Sequence, residues 1–255
     1  MTAQGSPLDV GYPEAMEFER ALLVFAHPDD AEFLCGGTVA RWVREGTDVA
    51  YVCASDGSAG WNGPDRDRRE IGEIRAREMR AAADVLGVSD VRFLGRVDGS
   101  LQPGLDLRRD VTREVRRHRP DVVVTFDPSR LWFGRSYIQH PDHRAIGQTV
   151  LDVVACDAPT RPQFPELLEE GFEPFDVTRV WLATDRREAD HLVDIGETID
   201  LKIKALRAHA SQMENIGEED IDGRMREWAS EVAEGADMEY AEAFLTFDLR
   251  DETGE

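Results

Sequence analysis

Three short, unbroken apolar runs restrict what this chain can fold into more than any other feature: Ala21–Ala26 (ALLVFA), Asp48–Ala54 (DVAYVCA) and Asp121–Phe126 (DVVVTF). A strand that is apolar on both faces must be covered on both, which is the setting of a central strand in a parallel sheet. Between and after the runs lie segments of helical spacing: 31–45 ended by Gly46, 67–86 ended by Gly87, 106–118 stopped by Pro120, and 142–156. Val91–Leu94, Val180–Ala183, His191–Ile195 and Ala243–Leu249 read as further strands, and 196–210 and 218–234 as further helices. The proline-bearing stretch 157–178 reads as an excursion with little regular structure. This alternation predicts α/β architecture: a single domain over 20–250 with a mainly parallel, doubly wound, Rossmann-like sheet flanked by helices, preceded by a 1–19 extension and followed by a 251–255 tail. Such sheets collect their functional groups just beyond the carboxyl ends of the strands.

Two loops occupy such positions. AHPDDAE (26–32) follows the first apolar run, and QHPDH (139–143) lies between the DVVVTF run and the next helix. Together they hold three of the six histidines. A helix cap explains one Asp after a strand; it does not explain two His-Pro-Asp loops at two strand ends. A catalytic zinc site uses three protein ligands and keeps one position for water, whose pKa it lowers to about 7. His27, either Asp29 or Asp30, and a histidine of the second loop supply that set, leaving one carboxylate to accept a proton. The loop after the first run lacks GxGxxG, which argues against a dinucleotide site.

Charge narrows the partners. The formal net charge is −22 and the pI about 4.6, a balance that repels phosphate backbones and anionic lipid, so neither nucleic acid nor membrane is expected as a partner. Cys35, Cys53 and Cys156 form no CxxC pair and suit a reducing compartment. The first twenty residues lack the basic start and apolar stretch of a signal peptide, and the expectation is cytoplasmic.

AHPDDAE and HPDH, with weaker matches at IRAREMRAAADVLGV (74–88), FLGRVDGSL (93–101) and ALRAHASQ (205–212), resemble the LmbE-like or PIG-L family of metal-dependent N-deacetylases and amidases. The resemblance covers about residues 20–250. It implies hydrolysis of an N-acyl, chiefly N-acetyl, amide on a glucosamine-type small molecule, with Zn2+ or Fe2+ as cofactor and a homo-oligomeric habit. It implies that His27, Asp30 and His143 bind the metal, that Asp29 is the general base, and that His140 stabilises the oxyanion. It further implies that Asp142 orients His140 and keeps it protonated, that Arg75 holds substrate, and that Asp98 contacts sugar hydroxyls. The bland alternatives are a helix cap for Asp142, a solvated arginine-rich face for Arg75, a plain turn for Asp98-Gly99 and a structural role for His209. Some relatives place a tyrosine near the oxyanion shortly before HPDH; Tyr137 lies three residues before His140, with its register and its part in catalysis left open. Trp61, Trp132 and Phe133 are rings suited to a sugar face. Two other functions fit the same residues: cleavage of a larger amino-sugar thiol conjugate, and sugar binding without catalysis.

Overall fold

The computed structural model describes residues 18–61, 66–135, 137–216 and 221–250. Most of the expected N-terminal extension, the C-terminal tail and part of the loop at 56–66 therefore lie outside the described residues. The apolar runs form β1 (Arg20–Phe25), β2 (Asp48–Ser55) and β4 (Val122–Phe126), joined by β3 (Asp90–Arg96) and β7 (Arg179–Ala183) in one parallel array. β9 (Ala241–Asp248) and β8 (His191–Asp194) extend the sheet in antiparallel fashion, giving the order β3-β2-β1-β4-β7-β9-β8. The expected single α/β unit with a mostly parallel sheet and flanking helices is what the chain forms.

Burial explains the composition of the strands. All of Val122–Phe126 and all but the first residue of β1 and β2 are buried. The helices that cover the sheet are α1 (Asp30–Glu45), α2 (Arg68–Leu86), α3 (Leu105–His118) and α4 (Pro141–Asp152), the last continuing in a wider turn over Val153–Asp157. Gly46 and Gly87 end α1 and α2 in the left-handed conformation, as the sequence predicts. Gly37 lets α1 lie close to its neighbour, since a Cβ there would fall 2.6 Å from Ile195 Cγ2.

Three details differ from the expected elements. The stretch 157–178 contains a short helix, α5 (Pro165–Glu169). A small hairpin, β5 (Trp132–Phe133) with β6 (Tyr137–Ile138), rises from the loop before α4. The single helix expected over 196–210 is two, α6 (Ile199–Arg207) and α7 (Ala210–Ile216), because the chain turns at Ala208 and His209 to bury the His209 ring completely. α8 (Ile221–Ala233) packs beside β9. Among the described residues no helix is long and apolar enough to cross a membrane.

From β1 the chain runs outward through β2 to β3, then returns to lay β4 on the other side of β1. The strand order thus reverses between β1 and β4, and the crevice at their carboxyl ends is where an open α/β sheet receives a ligand. The two His-Pro-Asp loops leave the sheet at these two strand ends.

Candidate active site

The first loop is bent by an uncommon backbone. Asp29 has φ 139°, a left-handed-side value that costs a non-glycine residue on the order of 1–3 kcal/mol and persists only where surroundings enforce it. Although Asp29 stands at the N-cap of α1, its side chain makes no capping hydrogen bond. Its carboxylate instead meets Arg75 Nη2 at 2.9 Å. Asp30 turns back, its Oδ2 accepting the His27 amide at 2.7 Å. Neither aspartate is spent as a simple helix cap, and the two carboxylates point to different partners.

The second loop is placed by close packing of α4 on the end of β4. A Cβ at Gly147 would fall 2.6 Å from the Phe126 carbonyl oxygen, so only glycine allows the approach. Phe126, the last residue of β4, stacks flat on the His143 ring at 3.9 Å between centroids. Pro141 starts the helix, and His140 caps it by accepting the Asp142 amide on Nδ1 at 3.2 Å.

Residues 116 positions apart then converge. His27 Nδ1 lies 3.1 Å from His143 Nε2, Asp30 Oδ2 lies 3.4 Å from His27 Nδ1, and Asp30 Oδ1 lies 3.3 Å from His143 Nε2. A tetrahedral zinc with ligand bonds of about 2.0–2.1 Å spaces its donors about 3.3–3.4 Å apart, and the two ring nitrogens and the Asp30 carboxylate approach one another at about that spacing, the two Asp30 contacts being made by its two different oxygens. The donor chemistry, two imidazoles and a carboxylate, suits the same ion. The His140 ring stands edge-on to His27 at 4.7 Å and 5.3 Å from His143.

The electrostatics ask for positive charge. Burial opposes charging the His27 ring, yet the carboxylates of Asp30, Asp142 and Asp98 outweigh it and push its pKa up to about 12. Burial likewise resists ionising Asp30, but His143 and His27 hold its carboxyl well below the usual carboxylate range. Burial raises the pKa of Asp29, with Asp30 adding to the effect and Arg75 opposing it. Burial and the neighbouring His27 and His143 rings push His140 down.

The Asp142 carboxylate hydrogen-bonds backbone rather than the His140 ring: Oδ2 accepts the Gly99 amide at 2.8 Å and Oδ1 the Leu101 amide at 3.1 Å. Asp142 reaches His140 through its backbone N–H, which donates to Nδ1 at 3.2 Å; burial and the His27 and His143 rings lower the pKa of His140, while the Asp142 and Asp98 carboxylates raise it. Arg75 is not on a solvated face. It is buried, and its Nη1 and Nη2 donate to the carbonyls of Gly57 and Pro28 at 2.8 and 2.7 Å. Asp98 is also buried, between the Ala59 amide (2.9 Å) and His27 Nε2 (3.1 Å). His209 meets Glu32 at 3.3 Å with both side chains fully buried, beneath the first loop. Sequence reasoning gave no role to Glu32, although its position two residues after Asp30 on α1 was a usable signal. Trp132 and Tyr137 are exposed on the hairpin, and the Arg66 guanidinium covers the Trp61 ring.

The chain is similar to known proteins over most of its length. The family described as PIG-L, GlcNAc-PI de-N-acetylase, matches residues 22–154, from β1 through α4. The chain is 29% identical to the diacetylchitobiose deacetylase of Thermococcus kodakarensis over 77% of this chain and 71% of that one. It is 30% identical to a 1D-myo-inositol 2-acetamido-2-deoxy-alpha-D-glucopyranoside deacetylase of Actinosynnema mirum over 76% of this chain and 81% of that one. The solved N,N'-diacetylchitobiose deacetylase of Pyrococcus horikoshii superposes with a TM-score of 0.82 at 29% identity, covering 92% of this chain and 85% of that chain.

Proposed function

The chain belongs to the PIG-L family, and on that premise we propose that it hydrolyses the N-acetyl amide of a small glucosamine-type molecule, releasing a free amine and acetate. The observation that carries this reading is the convergence, at the switch point of the sheet, of His27 Nδ1 and His143 Nε2, 3.1 Å apart, on the Asp30 carboxylate, whose Oδ2 and Oδ1 lie 3.4 and 3.3 Å from them. These three residues would hold a divalent cation, zinc before ferrous iron, which when bound supplies Lewis acidity and a water of lowered pKa.

Asp29 is the residue to take the proton from the attacking water. Its strained backbone and its Arg75 partner hold the carboxylate away from the helix end, and burial raises its basicity, as a general base requires. Arg75 therefore supports the base and both loops it bridges. His140 donates to the carbonyl oxygen as negative charge develops there: the Asp142 N–H occupies Nδ1, which leaves the ring proton on Nε2 as the donor. The exposed Trp132 on the hairpin beside His140 offers a ring face to the sugar or its aglycone. The unpaired Cys35, Cys53 and Cys156 suit work in the cytoplasm.

The test is acetate release over a panel of N-acetylglucosamine, diacetylchitobiose, and glycoside and thiol conjugates of acetylated glucosamine, on protein of measured metal content. Release from at least one glucosamine derivative, abolished by a chelator and restored by zinc, is expected. Full amidase activity in metal-stripped protein overturns the metal-dependent reading. Tight glycan binding with no acetate from any member makes the chain a binding protein.

A further inference from the structure

Gln139 stands between two parts of the chain that are held in different ways. After it, His140 caps α4 with φ −55° and ψ 137°, the extended backbone that Pro141 imposes on the residue before it. The helix itself is seated by the close approach of Gly147 to Phe126 and by the stacking of Phe126 on His143. Before Gln139 runs the β5–β6 hairpin, whose strands are two residues each. A two-stranded ribbon is marginal in water on its own. Its position has to come from its base, and Gln139 is that base.

The side chain of Gln139 lies in a residue only 3% exposed, and its groups reach three elements. The backbone amide donates to the Leu131 carbonyl at 3.0 Å, one step beyond the Trp132–Ile138 pair, and closes the hairpin. The backbone carbonyl accepts from Arg144 Nη1, on the first turn of α4. Nε2 donates at 3.2 Å to the carbonyl of Asp127, the residue that follows β4. Asp127 is itself buried and fixed, its Oδ1 accepting the Ser129 amide and hydroxyl at 2.9 and 2.6 Å. The contact has a direction, because turning the Gln139 amide over would set oxygen against oxygen at Asp127. The remaining atom, Oε1, is buried with no partner among the described residues. An unmet buried acceptor costs stability, so the worth of this side chain lies in what Nε2 holds.

We infer that Gln139 is a positioning residue for His140: its side-chain amide ties the chain on the near side of His140 to the end of β4, as Pro141 fixes the far side, and so sets the ring that donates to the developing oxyanion. It acts on the reaction through that ring. This rests on the catalytic role given to His140 above. The consequence is selective. His143 is held through α4 and Phe126, so loss of the Gln139 amide should reach the oxyanion donor and spare the metal ligands.

The experiment compares the natural protein, Gln139→Met, His140→Ala and the double variant, each full-length and zinc-loaded, on an acetylated glucosamine derivative that the natural protein deacetylates. Methionine keeps the length of the side chain and drops both the donor and the unmet acceptor, so thermal melts are expected near the natural value. Gln139→Met alone should lower kcat about 10- to 100-fold, the scale of loss from a misplaced catalytic group, with KM and zinc affinity within about twofold. In the His140→Ala background the same change should lower kcat no further, since the ring it positions is gone. Gln139→Glu, of the same shape but with an acceptor facing the Asp127 carbonyl, is a second variant expected to lose kcat likewise. A natural kcat in either folded variant overturns the proposal. So does an equal loss in both backgrounds, which makes Gln139 a general support of the fold, and so does a loss of zinc, which puts its influence on His143. Full activity in His140→Ala refutes the role of His140 itself, a failure read without any Gln139 variant.

Discussion

Helix α1 touches two clusters of buried charge that are built on opposite plans. Near its middle, the amides of Gly37 and Thr38 donate to the carboxylate of Glu242, and Lys202 Nζ meets the same carboxylate at 2.6 Å, with both side chains almost wholly buried. One cation answers one anion, and both oxygens of Glu242 are occupied. At the start of the helix the count does not close. Asp30, Asp98 and Asp142 all face His27, and His27 Nε2 lacks an in-line partner. A buried pair that is complete in itself has a structural job. A buried cluster that leaves negative charge and ring nitrogens aimed at one point has room for something the chain does not provide.

Asp30→Ala or His143→Ala should have the largest effect, removing stoichiometric metal and at least the roughly 10⁴-fold that a general base alone can supply; elemental analysis beside acetate release reads both. Asp29→Ala comes next, with activity down about 10²–10⁴-fold and the metal retained. Loss of metal from that variant would mean the two aspartates have exchanged roles. Changing the closed cluster should do the reverse. Glu242→Ala strands a buried lysine and should destabilise the fold by about 3–5 kcal/mol, measured by denaturant unfolding, while turnover per folded, metal-loaded molecule stays near the natural value.

A smaller effect comes from two histidines outside both clusters. Burial pushes His118 and His191 below their ordinary range; Asp48, Asp90 and Arg117 act on the first, Asp190 and Arg41 on the second. Their unfolded forms take up a proton near pH 6.5, so the native state binds fewer protons just below that pH. The stability they contribute is present above about 6.5 and falls as pH drops toward their folded values. The double variant His118→Asn, His191→Asn should show a shallower loss of stability between pH 6.5 and 5 than the natural protein.

How much of this was legible in the sequence follows from the range of each contact. ALLVFA, DVAYVCA and DVVVTF declare buried strands because every residue in them obeys the same demand, and Gly46 and Gly87 mark helix ends through local backbone chemistry. The hairpin at 132–138 was not legible, since strands of two residues carry no period. Nor was the break at His209, whose cause is a partner, Glu32, 177 positions away. In the site, the motif residues could be named in advance, but their surroundings could not. Arg75 sits among arginines that look solvated and is buried only because Pro28 and Gly57 close over it. The contacts of Asp142 with Gly99 and Leu101 span more than forty residues, so the sequence suggested its near neighbour His140 instead.

The central claim is that His27 Nδ1, Asp30 and His143 Nε2 share one cation. Metal-edge anomalous diffraction from zinc-loaded crystals tests it most directly. The account predicts a single strong peak about 2.0–2.2 Å from those three groups, on the side of His27 away from Asp98. A peak lodged instead among His27 Nε2, Asp98 and Asp142, a fully buried group of suitable donors, would contradict it.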